Sequence, residues 1–192
     1  MNSNFRALLA LTLASVCATQ AVAESAYIRF KPYGGDWNKS PDQGVLATDG
    51  WLALPNFSYN VEQTLSIGSQ SSGAGAGKIT FNPFSFKIPL GQWDSEFFAR
   101  CASGSAYQDV QVAFFKQAPS AKTDKPYVLF DFKLVAVKTI ALDFSGDRPF
   151  QTYTFEYGGL WEQFTGPTGQ PISKGWNRVR NVELSSLDEI IK

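Results

Sequence analysis

Histidine is missing from all 192 residues. Its absence removes the commonest general base, the usual zinc ligand and every Ser-His or Cys-His nucleophile pair. Cysteine is scarce. Cys17 lies in an N-terminal apolar run, and Cys101 stands alone in the rest of the chain. A lone thiol cannot form an internal disulfide, so the fold must rest on its apolar core. Cys101 itself reads as a small buried residue rather than a reactive thiol. Excess charge of either sign is also lacking, since 17 Lys and Arg balance 17 Asp and Glu. Such a balance leaves no electrostatic footprint for nucleic acid or anionic lipid. Carboxylate-pair chemistry survives these exclusions, but the spacing of the acids singles out no pair. The sequence therefore assigns no catalytic residue, no cofactor-binding residue and no metal ligand, and it predicts a protein that is not an enzyme and carries no cofactor.

The N-terminus has a recognisable layout. Met1 to Arg6 supplies a basic start, Ala7 to Ala18 an apolar centre, and Ala21-Val22-Ala23 a small-residue exit before Glu24. This is the plan of a secretory signal peptide. An apolar run of about twelve residues is too short to span a bilayer comfortably. Residues 1–23 are thus read as a cleaved leader, and residues 24–192 as one domain with no membrane insertion after cleavage. The expected location is periplasmic or secreted. Val16 stands where a lipid-modified Cys17 would need a small neighbour, which argues against lipid attachment.

Within residues 24–192 strands dominate. Ala26 to Lys31 alternates as a first strand. Residues 32–50 are rich in Gly, Pro, Asp and Asn and read as loop. Trp51 to Val61 follows as a strand interrupted at Pro55. Ile79 and Phe81 share one parity while Phe84, Phe86 and Ile88 share the other, which predicts a bulge at Asn82-Pro83. The one helix signal runs from Asp94 to Gly104, with Asp94 as cap, Trp93 stapled to Phe98, and Phe97, Phe98, Cys101 and Ala102 as the apolar face. Three more strands follow: Asp109–Lys116, Lys125–Phe144 and Gln151–Tyr157. In the longest, Val128 to Phe144 keeps apolar residues on one parity with only Lys138 breaking it, and Asp131 and Lys133 lie opposite. Leu160–Phe164 and Gly175–Val182 are less regular, and Ser185–Lys192 reads as a short helical or frayed tail. Six or more strands with one helix predict a mainly β fold, a closed or nearly closed two-sheet barrel with the helix packed alongside.

Between Tyr59 and Leu90 lies a loop of small residues, Ser66 to Gly77. Hairpin loops are usually two to five residues, so this one is either a floppy tip or an arm that orders against a neighbour. Gly73 to Lys78 superficially suggests a phosphate loop. Such a loop needs Ser or Thr after the Lys and then a helix, whereas Ile79 and a strand follow here. Five tryptophans suit either sugar stacking or packing. Trp37, Trp161 and Trp176 are the candidate interface aromatics.

Three segments in order resemble the Hcp family, the haemolysin-coregulated tube proteins of type VI secretion. Gly75-Ala76-Gly77-Lys78 followed by Phe84-Ser85-Phe86 resembles that family's glycine-rich arm entering its third strand. Cys101-Ala102-Ser103-Gly104, then Tyr107, resembles the end of its helix. Gly175-Trp176-Asn177 resembles its closing strand. The resemblance covers roughly Tyr27 to Val182. It implies a barrel with a helix alongside, and ring-shaped hexamers that stack into a tube for effector delivery. It also implies an arm, carried by Ser69, Gly73, Gly75, Gly77 and Lys78, that bridges subunits or rings. The implied partners are other copies of the chain, secreted effectors and spike proteins, with no nucleic acid. The leader is a departure, because family members that work in the secretion machine assemble in the cytoplasm and normally lack one. An exported relative outside the machine, binding a ligand such as a glycan, is the alternative.

Overall fold

The computed structural model describes residues 24–40, 46–64, 79–121, 123–144 and 146–191. The predicted leader lies outside the described residues. The chain enters on β1 (Ser25–Pro32), makes a single 3-10 turn at Ala47–Asp49 and adds the short β2 (Leu52–Ala53). A small ribbon follows, β3 (Val61–Gln63) with β4 (Ile79–Phe81), and then β5 (Phe84–Pro89) and the helix α1 (Trp93–Ser103). The remainder is β6 (Ala106–Phe115), β7 (Val128–Asp143), β8 (Phe150–Thr165), β9 (Pro171–Asn177) and β10 (Val182–Glu183).

One sheet of eight strands runs β10-β9-β8-β7-β6-β1-β2, with β5 on β8 beside β9, and the β3–β4 ribbon is a second sheet of two strands. Every pairing is antiparallel. Mainly β with one helix is thus what the chain forms, but among the described residues the sheet does not close into a barrel. Pro55 explains the opening, since it has no N–H to donate to a ladder. Residues 54–60 only seam the gap between β1 and β5. Leu54 N donates to Ala26 O, Ser58 and Ser85 exchange two backbone bonds, and the Asn56 side chain bonds both Lys87 N and Lys87 O. The predicted bulge at Asn82-Pro83 is instead a break, where the chain leaves the ribbon and joins the large sheet.

The core is aromatic. Phe30 is fully buried, with ring centroids 4.9 Å from Phe97, 5.0 Å from Tyr107 and 5.5 Å from Trp93. Phe84 lies 4.3 Å from Phe132 and stacks on Phe155 at 5.0 Å. Such pairs add roughly 0.5–1.5 kcal/mol each beyond the area they bury.

The single parity expected along β7 does not hold. Phe132 faces the core, and then Val135 and Val137 do. The switch falls at Leu134, which has a φ of 50°. The neighbours switch at the same level: β6 from Tyr107 to Val110, β8 from Tyr157 to Leu160. Gly158 permits it, because a Cβ there would sit 3.0 Å from Leu134 Cδ2. A second irregularity between Val137 and Thr139 shifts the register again. Leu142 and Phe144 consequently end up exposed.

The helix occupies nearly its predicted span and stops at Gly104, φ 70°. Its start differs from expectation. Gln92 is the cap residue and makes no side-chain cap bond, while Asp94 Oδ2 accepts from Gly91 N. Trp93 stacks on Phe97, one turn on, with centroids 5.6 Å apart, and Phe98 is 68% exposed. The C-terminal tail is neither helical nor frayed. Leu184 and Ile191 are buried, and Ile191 O accepts from Tyr33 Oη.

Candidate functional site

The β3–β4 ribbon is the root of the long loop. Its last pair is Gln63 with Ile79, so the loop leaves the ribbon's tip. All three β3 residues are exposed. The predicted arm residues Ser69, Gly73, Gly75, Gly77 and Lys78 lie outside the described residues.

Behind the ribbon is a groove of about 710 Å3. Tyr59, Ile79 and Phe81 form the wall on the ribbon side, and Leu160 and Trp176 the wall on the β8–β9 side. The charges on its rim are already engaged. Tyr59 Oη donates to Glu162 Oε1 at 2.6 Å, and Lys174 Nζ to Glu183 Oε1 at 2.5 Å. Burial, then the bond to Glu162, raises the Tyr59 phenol well above its ordinary range, so it is a neutral donor across the accessible pH range.

The three predicted aromatics are not brought together. Trp176 lines the groove and packs against the core, and its Nε1 has no protein partner. Trp161 lies over Gly175, where a Cβ would come within 2.6 Å of its Cε3. The Gly-Trp pair at 175–176 is therefore a packing motif: the glycine makes room for one indole and its neighbour plugs the groove. Trp37 is on β1's side, its ring 3.9 Å from the Arg29 guanidinium, which Trp51 covers at 4.3 Å. Burial lowers the Arg29 pKa to about 10, still fully charged at neutral pH. None of the three is an open sugar platform.

A polar cluster that sequence reading placed on an outer face is buried instead. Lys133 Nζ donates to Asp109 Oδ1 at 2.7 Å, to Asp131 Oδ2 at 3.2 Å and to the Leu187 carbonyl at 2.5 Å. Gln111 Nε2 donates to Asp131 Oδ2 at 2.8 Å, and its Oε1 accepts from Arg29. Asp131 is pushed up to about 6, first by burial, with the nearby Lys133 charge and Gln111 opposing. The cluster is charge-balanced and holds the tail down through Leu187. No spacing signal reveals it, because strand alternation says nothing about which other segment covers a polar face. Among the described residues no group of acids and Cys could hold a metal ion. Among them, too, no helix is long and apolar enough to cross a membrane.

Comparison with known proteins adds the family. The model for "Type VI secretion system effector, Hcp" matches residues 42–164. No curated protein matches by sequence. A solved type six secretion system protein superposes with a TM-score of 0.67 at 15% identity, covering 84% of this chain and 100% of its own. Hcp1 from Salmonella typhimurium gives 0.61 at 18%, covering 83% and 99%. The secreted protein Hcp3 from Pseudomonas aeruginosa gives 0.56 at 13%, covering 81% and 99%. At such identities these likenesses show the fold.

Proposed function

We propose that this chain, which belongs to the Hcp family of type VI secretion proteins, is a structural tube subunit whose copies close into rings of six and stack for effector delivery. The observation that carries this is the family match over residues 42–164, which includes the ribbon, the helix and most of the central sheet. The site geometry agrees with a structural role. Lys174 is ion-paired with Glu183, Glu162 accepts from the neutral Tyr59 phenol, and Trp176 packs against the core. In this reading the arm, with Ser69, Gly73, Gly75, Gly77 and Lys78, is the bridge between subunits or rings, and effectors and spike proteins are the further partners. Export through the leader is part of the proposal. N-terminal sequencing of protein recovered outside the cytoplasm should then begin at Glu24.

The test of the assembly is mass in solution, by light scattering coupled to size exclusion. A particle close to six times the subunit mass, which is 21.1 kDa for the whole chain, is expected. A monomer at high concentration would remove the tube reading and leave only the fold. The ligand-binding alternative finds no support in the aromatics, since Trp161 and Trp176 are engaged in packing.

A further inference from the structure

We propose that Lys133 and Asp109 join covalently, their side chains condensing to an isopeptide bond between β7 and β6 with Asp131 as the proton carrier. The two residues stand directly opposite each other in the antiparallel ladder. Lys133 Nζ is held 2.7 Å from Asp109 Oδ1, which sets the nitrogen against the carboxyl carbon it would attack. Groups fixed this closely react as though at very high concentration. The site is also dry, with Lys133 2% exposed, Asp109 5% and Asp131 1%. Water, which would reverse the condensation, is kept out. The bond also turns a buried ion pair, costly to desolvate, into a neutral amide.

The hydrogen bonds distinguish the two carboxyls. Asp109 Oδ2 accepts from Gln108 Nε2 at 2.9 Å, which keeps it as the carbonyl oxygen and leaves Oδ1 to depart. Asp131 Oδ2 accepts from the same Lys133 nitrogen at 3.2 Å and from Gln111 Nε2 at 2.8 Å, while its Oδ1 is buried and has no partner. That unpartnered oxygen is free to take a proton. Burial, opposed by the Lys133 charge, holds the Asp131 carboxyl up at about 6, where it can both take and return a proton near neutral pH. In the step, the bond from Lys133 Nζ to Asp109 Cγ forms and the bond from Cγ to Oδ1 breaks. Two of the three ammonium protons pass through Asp131 to Oδ1 and leave with it as one water. The third stays on the amide nitrogen, where the Leu187 carbonyl, 2.5 Å from Nζ, accepts it. One positive and one negative charge are consumed together, and no oxidant or other reactant is needed. This does not depend on ring formation, and a monomer would link equally.

The experiment is the intact mass of the purified, denatured protein, followed by fragmentation of a protease digest. The parent is expected to be lighter than its sequence by one water. The digest should contain a branched peptide joining the segments around Asp109 and Lys133. Asp109→Ala removes the carboxyl and should restore the full mass. Asp131→Asn keeps an acceptor for Lys133 but cannot carry the proton. It should slow linkage roughly a hundredfold, so the freshly purified variant, checked as folded by near-ultraviolet circular dichroism, should keep its full mass. The proposal is overturned if the parent has its full mass, if the lost water maps to any other pair of residues, or if folded Asp131→Asn links as completely as the parent.

Discussion

At the residue scale, Gly175 and Asp131 make the most exposed claims. A Cβ on Gly175 would meet Trp161 at 2.6 Å, Leu184 Cδ1 at 3.0 Å and the Leu160 carbonyl at 3.1 Å. Neither an indole ring nor a backbone oxygen can swing aside. Gly175→Ala should therefore destabilise by roughly 1–3 kcal/mol, as over-packing does, with a changed Trp emission; urea denaturation followed by fluorescence measures both. Asp131 makes the second claim, through its raised pKa. A carboxyl whose folded pKa, about 6, exceeds the unfolded value of about 3.9 binds protons more tightly when folded. Its contribution is most favourable below the unfolded value and is lost as pH rises through about 6. Asp131→Asn, which keeps an acceptor for Lys133 and Gln111, should gain on the parent as pH rises from about 4 to about 6.5. Paired denaturation curves across that window check it, and a constant difference would mean that Asp131 titrates in the fold as it does in the unfolded chain. Neither residue announces itself in the sequence. Gly175 reads only as the start of a less regular segment, and Asp131 as one more acid on the polar side of an alternating strand.

At the element scale, period and composition locate nearly every strand and the helix, because half-buried strands alternate and helices repeat every three to four residues. What they miss depends on a single backbone angle or on distant partners. The face switch at Leu134 needs a non-glycine residue at positive φ, which apolar periodicity cannot encode. Phe98 is read as core because it is the expected staple partner of Trp93 and part of the apolar helix face, yet the residue that stacks on Trp93 is Phe97, one turn on. The open seam follows from Pro55, which the sequence shows plainly, although the side-chain mimicry by Asn56 that bridges it does not show at all. The tail makes the element-scale prediction. Residues 184–191 carry two buried apolar residues and bond Lys133 and Tyr33 through carbonyls. Ending the chain at Glu183 would strip Lys133 of one acceptor and open the space above Gly159 that Ile191 Cδ1 fills. Loss of a buried apolar side chain alone costs about 2–5 kcal/mol. The truncated protein should therefore melt well below the parent in a thermal scan; an unchanged melting temperature would mean that the tail is a passive cover.

At the scale of the whole molecule, the fold and the assembly are separable, and the arm is where they part. The ribbon β3–β4 forms its own two-stranded sheet, tied to the core by Phe81 and Ile79 of β4. All three residues of its β3 strand are exposed. Deleting Ser69 to Gly77 shortens the connection between Gln63 and Ile79 without touching a core residue. Shortening such a loop changes closure entropy only slightly. The deletion protein should accordingly keep the parent's near-ultraviolet circular dichroism and lose at most about 1 kcal/mol of stability. If the arm bridges copies, the same protein should run at lower mass at equal concentration, by light scattering. A folded deletion protein with undiminished assembly would place the contacts between copies on the exposed apolar ends of the sheet, where Phe164 faces Ile172 across β8 and β9. An unfolded one would show that the loop belongs to the core, contrary to the position of its root on the outer ribbon.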